Sequence, residues 1–283
     1  MSIDISAARH SRVIAAVVSW RCALPKQPVL TTQQGSIRIV RLDSPDNRNL
    51  ITPEISRGIK SACAEANEDP SVLVLIITGS IEVFSSGRDR YTHECASDPT
   101  FDFDNWLIDH RVADAVSSVK ATTIAAIEGE AIDHGLELAI ACDIRVASDN
   151  SQLGANDLTS GILPWDGCTQ RLPRLVGVPK ALELLLTGKS LTGREAADIG
   201  LVNHVVSSHG TLTAALEMAR TIIQSGPLAL RYIKEAIYKS TDLPLDQGLA
   251  LEADLSFILQ STNDRQEGIQ SFHEKRRPKF TGR

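Results

Sequence analysis

The stretch Thr123–Ala139 reads TIAAIEGEAIDHGLELA, and it predicts a strand, a glycine-bearing loop and a helix in direct succession. Thr123–Ile127 is a short apolar run, typical of a strand buried on both faces of a parallel sheet. A helix over Leu136–Cys142 follows. Because the start of a helix has unpaired N–H groups and positive dipole character, the His134 amide is well placed to bind an anionic oxygen. Glu137 lies in the first turn, where a carboxylate either complements the dipole or serves chemistry.

The flanking sequence repeats this alternation. Two short runs separated by Gln33-Gln34-Gly35 predict a hairpin, and Thr52 with Pro53 predicts a helix start. The remaining predicted elements before residue 206 are the hairpin strands 29–32 and 36–42, the buried strands 72–77 and 144–147, and a helix over 105–119. A capping box at Thr192–Glu195 marks a later helix. We therefore predict an α/β fold to about residue 206 and helices from there to the end.

Bulk properties exclude several classes of protein. The chain has 283 residues, 42% of them hydrophobic, and a net charge of −6. A nucleic-acid partner is not expected, because such proteins usually carry a concentrated basic face. The five cysteines are widely spaced and form no C-x-x-C pair, so we expect neither a zinc site nor another bound metal. No apolar run approaches the roughly 20 residues that cross a bilayer.

Residues 1–27 are predicted to be an N-terminal extension. They carry five basic or histidine side chains against one acid, Asp4: Arg9, His10, Arg12, Arg21 and Lys26. An extension of this kind leaves the protein cytoplasmic. The alternative is a transit peptide for the mitochondrial or another organelle matrix, since Arg-rich, acid-poor segments serve that purpose.

Two other segments carry candidate chemistry. FSSGRDR at 84–90 follows a predicted buried strand, and Gly87 there lets the backbone approach a ligand closely and expose the Arg88 amide. The segment 153–167 contains Asp157 and Asp166 in loop-like sequence. A glycine turn such as the one at 84–90 is usually only a surface turn. Aspartate is common in loops such as 153–167 because its side chain stabilises turns, so neither segment decides the function by itself.

The ordered set of motifs resembles the enoyl-CoA hydratase/isomerase (crotonase-like) family over roughly residues 28–283. FSSGRD at 84–89 is similar to the family's Phe-x-x-Gly-x-Asp loop, and IDHGLE at 132–137 has the form of Leu-Gly-Gly-Gly-Cys-Glu. LGAND at 153–157 is similar to Phe-Gly-x-Pro-Glu. Further similar segments are DNRNL at 46–50, LTG at 186–188, AADIGLV at 196–202, DRQEG at 264–268 and FHEKRRPKF at 272–280.

The resemblance implies a fold: a spiral core of ββα units at 28–206, followed by a helical region at 207–283 that assembles trimers or hexamers. It implies an acyl-CoA substrate and no cofactor, since coenzyme A is part of the substrate. By position, the amides of Arg88 and His134 form the oxyanion hole, and Glu137 and Asp157 are the catalytic carboxylates. The implied CoA- and substrate-binding residues are Arg48, Asn49, Leu50, Ser86, Gly87, Asp89, Gly135, Phe272 and Lys275.

Four departures from the family pattern keep other functions open. Asp157 is a methylene shorter than the usual Glu, Asp133 and His134 replace glycines, Arg88 replaces a small residue, and Asp166 adds a third carboxylate. An Asp at that last position resembles the β-diketone hydrolase branch, where it works with a His. Leu158 occupies the matching His position here, so Asp166 is expected to cap the helix that starts near Cys168.

The leading hypothesis is a hydratase-type lyase that acts through a thioester enolate. The alternatives are an enoyl-CoA double-bond isomerase, a C–C hydrolase of a cyclic β-diketone or β-keto thioester that uses Asp166, and a non-catalytic CoA-thioester binder. Retention of both Glu137 and Asp157 argues against the binder.

Overall fold

The computed structural model describes residues 27–88 and 102–283. Residues 1–26 of the predicted extension, and Asp89 of the predicted binding set, lie outside the described residues. Within the described ranges there are ten strands: β1 (Val29–Gln34), β2 (Ile37–Leu42), β3 (Val74–Thr78), β4 (Val83–Ser85), β5 (Thr122–Ile127), β6 (Glu130–Ile132), β7 (Ile144–Ser148), β8 (Gln152–Gly154), β9 (Leu191–Thr192) and β10 (His204–Val206).

The same ranges contain eleven α-helices: α1 (Pro53–Glu68), α2 (Phe103–His110), α3 (Ala113–Ser117), α4 (His134–Ala141), α5 (Cys168–Val176), α6 (Val178–Thr187), α7 (Gly193–Asp198), α8 (Thr211–Ile222), α9 (Pro227–Lys239), α10 (Leu245–Gln260) and α11 (Asn263–His273). Strands alternate with helices up to Val206, and only helices follow. The predicted α/β region and helical C-terminal region are confirmed.

The larger sheet carries the hydrophobic core on both of its faces. Its order among the described strands is β1-β2-β3-β5-β7-β10, with β1 antiparallel to β2 and the other pairs parallel. Every residue of β3 is buried, because alternate side chains enter different clusters. Val74 and Ile76 pack with Ala215 and Ala219 of α8, whereas other strand residues such as Leu75 pack in the cluster that contains α1 and α4.

The smaller sheet places the loops of the candidate site. Its order is β4-β6-β8-β9 in the described residues, with β4, β6 and β8 parallel. The chain alternates between the two sheets, since β3, β5 and β7 of the larger sheet lead into β4, β6 and β8 of the smaller one. A helix follows β4 and β6, so ββα is the repeating unit, as the family resemblance implies.

One predicted helix is wrong in extent. The helix expected over 105–119 is two helices, α2 and α3, with a break at Arg111 and Val112. In a continuous helix the amides of Val112 and Ala113 would bond to carbonyls four residues back. Here both amides donate to the carboxylate of Asp166, at 2.7 and 3.0 Å. A tertiary contact therefore overrides the local helical pattern.

The helices after Val206 differ in how much they bury. α8 packs on the larger sheet, whereas α9 and α10 have no buried residue in the single chain. Part of the region expected to serve oligomerisation therefore belongs to the core of its own chain. No helix of the described residues is long and apolar enough to cross a membrane.

Candidate active site

Two glycines bring the predicted oxyanion donors together. A Cβ on Gly87, whose φ is +107°, would lie 3.0 Å from the carbonyl oxygen of Ile132, and one on Gly135 would lie 2.4 Å from the carbonyl oxygen of Ser85. The strand end at 85–88 therefore lies directly against the loop that opens α4. His134 is the first residue of α4, so its amide has no intrahelical acceptor. Among the described residues no carbonyl accepts a hydrogen bond from the Arg88 or His134 amide.

Glu137 is completely buried on α4 and is held from both sides. Its Oε1 accepts hydrogen bonds from the amides of Asp166 (2.9 Å) and Cys168 (3.1 Å), and its Oε2 lies 3.3 Å from Nη2 of Arg88. Burial raises the pKa of the Glu137 carboxyl to about 7, although the Arg88 charge and the two amides oppose that rise. The group therefore gains and loses its proton near neutral pH, which suits an acid–base catalyst.

Asp157 contacts the same guanidinium nitrogen of Arg88 that Glu137 contacts. It begins a 3₁₀ turn at Asp157–Ser160, is buried, and its Oδ2 accepts a hydrogen bond from Arg88 Nη2 at 2.8 Å. The preceding residue is fixed to the oxyanion loop, because the Asn156 amide donates to Oδ1 of Asp133. Asp133 itself has a positive φ of +49°. The structure thus brings the two predicted catalytic carboxylates together around the side chain of Arg88.

Asp166 has a histidine partner that the sequence did not predict. Its Oδ2 accepts from Nε2 of His134 at 2.9 Å, and the same oxygen accepts from the two amides at the start of α3. The expected cap at Cys168 is wrong, because Gly167 is the N-cap of α5 and the Cys168 amide donates to Glu137 rather than to Asp166. The carboxylate caps α3 instead. Leu158 occupies the position where a histidine partner for Asp166 was sought, and His134 supplies that partner instead.

The proton positions in this pair follow from the partners of Asp166. Burial acts to raise the pKa of Asp166, but the hydrogen bond and attraction from His134 and the amides of Ala113 and Val112 together hold it below its usual range. Burial lowers the pKa of His134, so the ring is neutral. Since an ionised carboxylate only accepts, Nε2 of His134 carries the proton and Nδ1 carries the lone pair.

Trp165 is the centre of an aromatic cluster over these groups. Its ring centroid lies 4.8 Å from the guanidinium carbon of Arg88, 4.8 Å from the His134 ring and 4.8 Å from the Trp106 ring. Trp106 in turn stacks on His110 at 4.5 Å. These side chains and the apolar residues Ile51 and Pro53 line one small cavity. The cavity and the carboxylate cluster share Arg88 and His134.

The remaining predicted residues near 48–50 build the wall of the site. Asn49 is fully buried, and its side chain donates to the carbonyls of Val83 (3.0 Å) and Phe84 (3.2 Å). Ser86 donates through its hydroxyl to the carbonyl of Arg48 at 3.0 Å, and the Arg48 guanidinium pairs with Glu130. Leu50 is half-buried beside them. These contacts align the strand end at 84–88, and direct contact with substrate stays a prediction.

Phe272 and Lys275 lie apart from the carboxylate cluster. Phe272 is 82% exposed at the end of α11, and Lys275 follows that helix in a left-handed conformation. No contact found among the described residues joins either one to Glu137 or Asp157. Their predicted role in CoA binding is untested by this structure.

Sequence reasoning missed the side chains of Arg88, His134 and Trp165 as parts of the site. It assigned the first two only through their backbone amides. The available signal was the departure from glycine and small residues at the oxyanion positions. The described residues contain no group of three or more His, Cys, Asp or Glu that could hold a metal ion.

Comparison with known proteins identifies the family of this chain. The sequence profile of the enoyl-CoA hydratase/isomerase family matches residues 32–283. A probable enoyl-CoA hydratase of Mycobacterium bovis is 36% identical over 258 residues, which are 91% of this chain and 99% of the relative. The chain belongs to the enoyl-CoA hydratase/isomerase family.

Other relatives extend that similarity. The enoyl-CoA hydratase domain-containing protein 2, mitochondrial, of Mus musculus is 36% identical over 262 residues, covering 90% of this chain and 87% of the relative. The crystal structure of an enoyl-CoA hydratase from Bacillus anthracis is 32% identical, with a TM-score of 0.84 over 91% of this chain and 100% of that one. The crotonase-like fold is confirmed, and the protein is an acyl-CoA-processing enzyme of the hydratase/lyase type.

Proposed function

We propose that this enzyme adds water across the α,β double bond of an enoyl-CoA thioester, and removes it in reverse, with Glu137 and Asp157 as the acid–base pair. One observation carries the proposal. Two completely buried carboxylates from different parts of the chain converge on one atom, Nη2 of Arg88, at 3.3 and 2.8 Å. Carboxylates held this close in a buried site tend to have different pKa values, so that an acid and a base coexist at neutral pH.

The backbone supplies the second part of the mechanism. Adding water to an unsaturated thioester places negative charge on the thioester oxygen. The amides of Arg88 and His134 lie on segments held in contact by Gly87 and Gly135 and are the proposed donors to that oxygen. Fixed donors of this kind contribute on the order of 3–4 kcal/mol each to lowering the barrier.

Each carboxylate then transfers one proton. Glu137, with a pKa of about 7, takes a proton from the attacking water, and Asp157 delivers a proton to the α-carbon. Because Arg88 Nη2 stands between the two carboxylates, the water displaces the guanidinium from Glu137, where its contact is the longer of the two. Arg88 keeps its hydrogen bond to Oδ2 of Asp157, which carries its proton on Oδ1, so the charge of Arg88 balances that of ionised Glu137. The relatives named as hydratases favour this reaction over isomerisation, C–C hydrolysis or simple binding.

The test is a turnover screen with trans-2-enoyl-CoA thioesters of increasing chain length. Loss of the conjugated thioester absorbance reports hydration, and mass spectrometry separates the 3-hydroxy product from an isomer or a cleaved chain. We expect the hydrated product. A protein that binds these thioesters tightly but converts none of them, or that yields only isomer, would refute the proposal.

The partners follow from the same proposal. We propose a trimer or hexamer, because α9 and α10 present apolar side chains that their own chain leaves uncovered. The basic segment after α11, with Phe272 and Lys275, is proposed to bind a CoA phosphate of its own or a neighbouring subunit.

No cofactor beyond the CoA of the substrate is proposed. A cytoplasmic location is retained, with an organelle matrix as the alternative, as in the mitochondrial mouse relative.

A further inference from the structure

A band of polar side chains crosses the larger sheet at the carboxyl ends of three neighbouring strands. On the face that packs against α8, the residues that precede this band are apolar: Ile37 and Ile39 on β2, Val74 and Ile76 on β3, and Ile124 and Ala126 on β5. Two residues further along the chain, on the same face, the side chains are polar: Arg41, Thr78 and Glu128. Ligands of α/β proteins often bind beyond the carboxyl ends of the strands, so this band is a candidate binding site.

A cavity of about 200 Å³ lies over this band. Its other walls come from the loop that joins β3 to β4 and from the start of α8: Gly79, Ser80, Ile81, His209, Thr211 and Leu212. None of the described residues that line it belongs to the carboxylate cluster or to the small cavity beside Trp165. It is smaller than the pockets of drug-sized ligands, which have roughly 300–1,000 Å³, so it fits a small metabolite.

Glu128 is a buried carboxylate with one unpaired oxygen. Its side chain lines the cavity, although only 6% of the residue is exposed. Oε2 accepts a hydrogen bond from the Thr211 hydroxyl at 3.1 Å, whereas no group in the described part of the chain bonds to Oε1 or forms an ion pair with the carboxylate. Oε1 is open to solvent, since it is not among the side-chain atoms that are both unpaired and closed off. Glutamates this buried are almost always paired, so Oε1 points to a ligand that donates to it.

The opposite charge lies on the other side of Thr78. Arg41 is exposed and lines the cavity, and its guanidinium forms no hydrogen bond or ion pair within the described ranges. Neighbouring strands lie about 4.8 Å apart, so the backbones of Arg41 and Glu128, two strands apart, are separated by roughly 10 Å. A direct ion pair with Arg41 would neutralise Glu128, but the two side chains do not form it. The two charges therefore flank the cavity, and the short side chain of Thr78 lies between them.

The start of α8 adds hydrogen-bond donors to the same cavity. This helix has 12 residues, begins at Thr211 after Gly210, and has no side-chain cap. No acceptor among the described residues bonds to the amides of Thr211 and Leu212, as expected for the first turn of a helix. Both residues line the cavity, so the positive end of the helix dipole lies beside it.

These groups select a molecule that carries both charges. A lone anion would be repelled by Glu128, and a lone cation would be repelled by Arg41 and the positive end of α8. We propose that this cavity binds a small free α-amino acid as its zwitterion, a site that is independent of the proposed function. The ammonium donates to Oε1 of Glu128, and the carboxylate accepts from Arg41 and the first amides of α8. The side chain of the amino acid packs on Ile81 and Leu212, which line the same cavity.

Calorimetry of the full chain with the standard L-amino acids tests the proposal. We expect at least one small amino acid to bind with one molecule per chain and to raise Tm as its concentration increases. The best binder is then compared with its N-acetyl derivative, which lacks the ammonium, and with its carboxamide, which lacks the carboxylate. Each derivative should bind at least about tenfold more weakly, the value of one hydrogen bond to a charged group. Failure of every amino acid to bind at millimolar concentration, or equal binding of either derivative, would overturn the assignment.

Matched variants locate the bound amino acid. Glu128→Gln keeps an acceptor for the Thr211 hydroxyl but removes the charge that faces the ammonium, and Arg41→Met removes the charge that faces the carboxylate. Each should weaken binding at least about tenfold. Because Arg41 is exposed, its variant tests the site even if Glu128→Gln does not fold. Arg231→Met is the control, since Arg231 is also exposed but lines a different cavity near the start of β3 and β5. An unchanged dissociation constant in Arg41→Met, or a loss of binding in Arg231→Met, would contradict the location.

Discussion

The site around Arg88 and the surface of α10 depart from the usual distribution of side chains in opposite ways. In the site, Glu137 and Asp157 are completely buried. On α10, Phe257 is 79% exposed and Leu249 is 56% exposed. Scattered exposed apolar residues are ordinary, but buried charges and contiguous exposed apolar faces carry information. The first region contains its charged partners within the chain, whereas the second lacks a partner. The first therefore indicates chemistry and the second indicates assembly.

Removing the charge of either buried acid should have the largest effect. Glu137→Gln and Asp157→Asn keep the side-chain shape, and each should lower kcat by about 10²–10⁴-fold, the usual loss for a general acid or base. The dissociation constant for acyl-CoA should change little. Glu128→Gln is the matched control, because Glu128 is also buried but bonds to Thr211 away from the site. Near wild-type turnover in both site variants would show that the two-carboxylate mechanism is wrong.

The exposed face of α10 should determine the assembly. We expect the mass of a trimer or hexamer by light scattering at micromolar concentration, because the apolar side chains of α9 and α10 need a partner surface. Phe257→Asp should shift the mass towards the monomer. Ile81→Asp is the control, since Ile81 is also a large exposed apolar residue, at 62%, but lies in a loop outside these helices. A monomeric wild type would refute the assembly proposal.

Turnover should depend on pH through Glu137. Its pKa is raised to about 7, so the carboxylate that accepts the water proton is lost as pH falls through that value. We expect kcat/KM for hydration to fall about tenfold per pH unit below 7, and this inflection to disappear in Glu137→Gln. A rate that rises as pH falls would make Glu137 the acid.

The same pKa shift of Glu137 predicts that the free energy of unfolding decreases as pH rises from 4.5 to about 7, because in that range only the folded state holds the proton on Glu137.

The sequence predicted the core well because its signals are local. Apolar runs such as Val74–Thr78 and the capping box at Thr192 need no distant partner to be interpreted, and both are present. The break before α3 could not be predicted in this way. It depends on Asp166, which lies 54 residues from Val112 and withdraws its amide from the helical pattern.

The same limit applies to the site. The motif order placed Glu137 and Asp157 in one site, and they share one nitrogen of Arg88. The bond between His134 and Asp166 spans 32 residues and joins two positions that the sequence motifs did not link to each other. Arg88 and His134 stand where the family pattern has small residues. Whether their side chains enter the site depends on the direction in which each one points. Such directions become visible only when the two sheets and the loops between them are packed together.

The smallest expected effect concerns Asp166, and it distinguishes the hydratase from a hydrolase. The hydrogen bonds from Val112, Ala113 and His134 all end on Oδ2. The Asn side chain can present its oxygen at that position and keep all three bonds, losing the charge that strengthens them and the 3.5 Å contact between Arg111 Nε and Oδ1. Asp166→Asn should therefore cost about 1–2 kcal/mol in stability and keep kcat for enoyl-CoA hydration within about tenfold of wild type. Thermal melting and steady-state hydration kinetics measure both quantities.

The comparison with Asp157→Asn makes this result decisive. In a hydratase, Asp157 delivers the proton, while Asp166 only orients His134 and holds the start of α3, so turnover is lost with Asp157→Asn and kept with Asp166→Asn. In a hydrolase that uses the His134–Asp166 pair to activate water, the ranking reverses. His134→Gln sharpens the distinction, because it leaves the His134 backbone amide in place while removing the ring. If Asp166→Asn and His134→Gln abolish turnover together and Asp157→Asn spares it, the reacting water lies at His134 Nδ1 and the hydratase assignment fails.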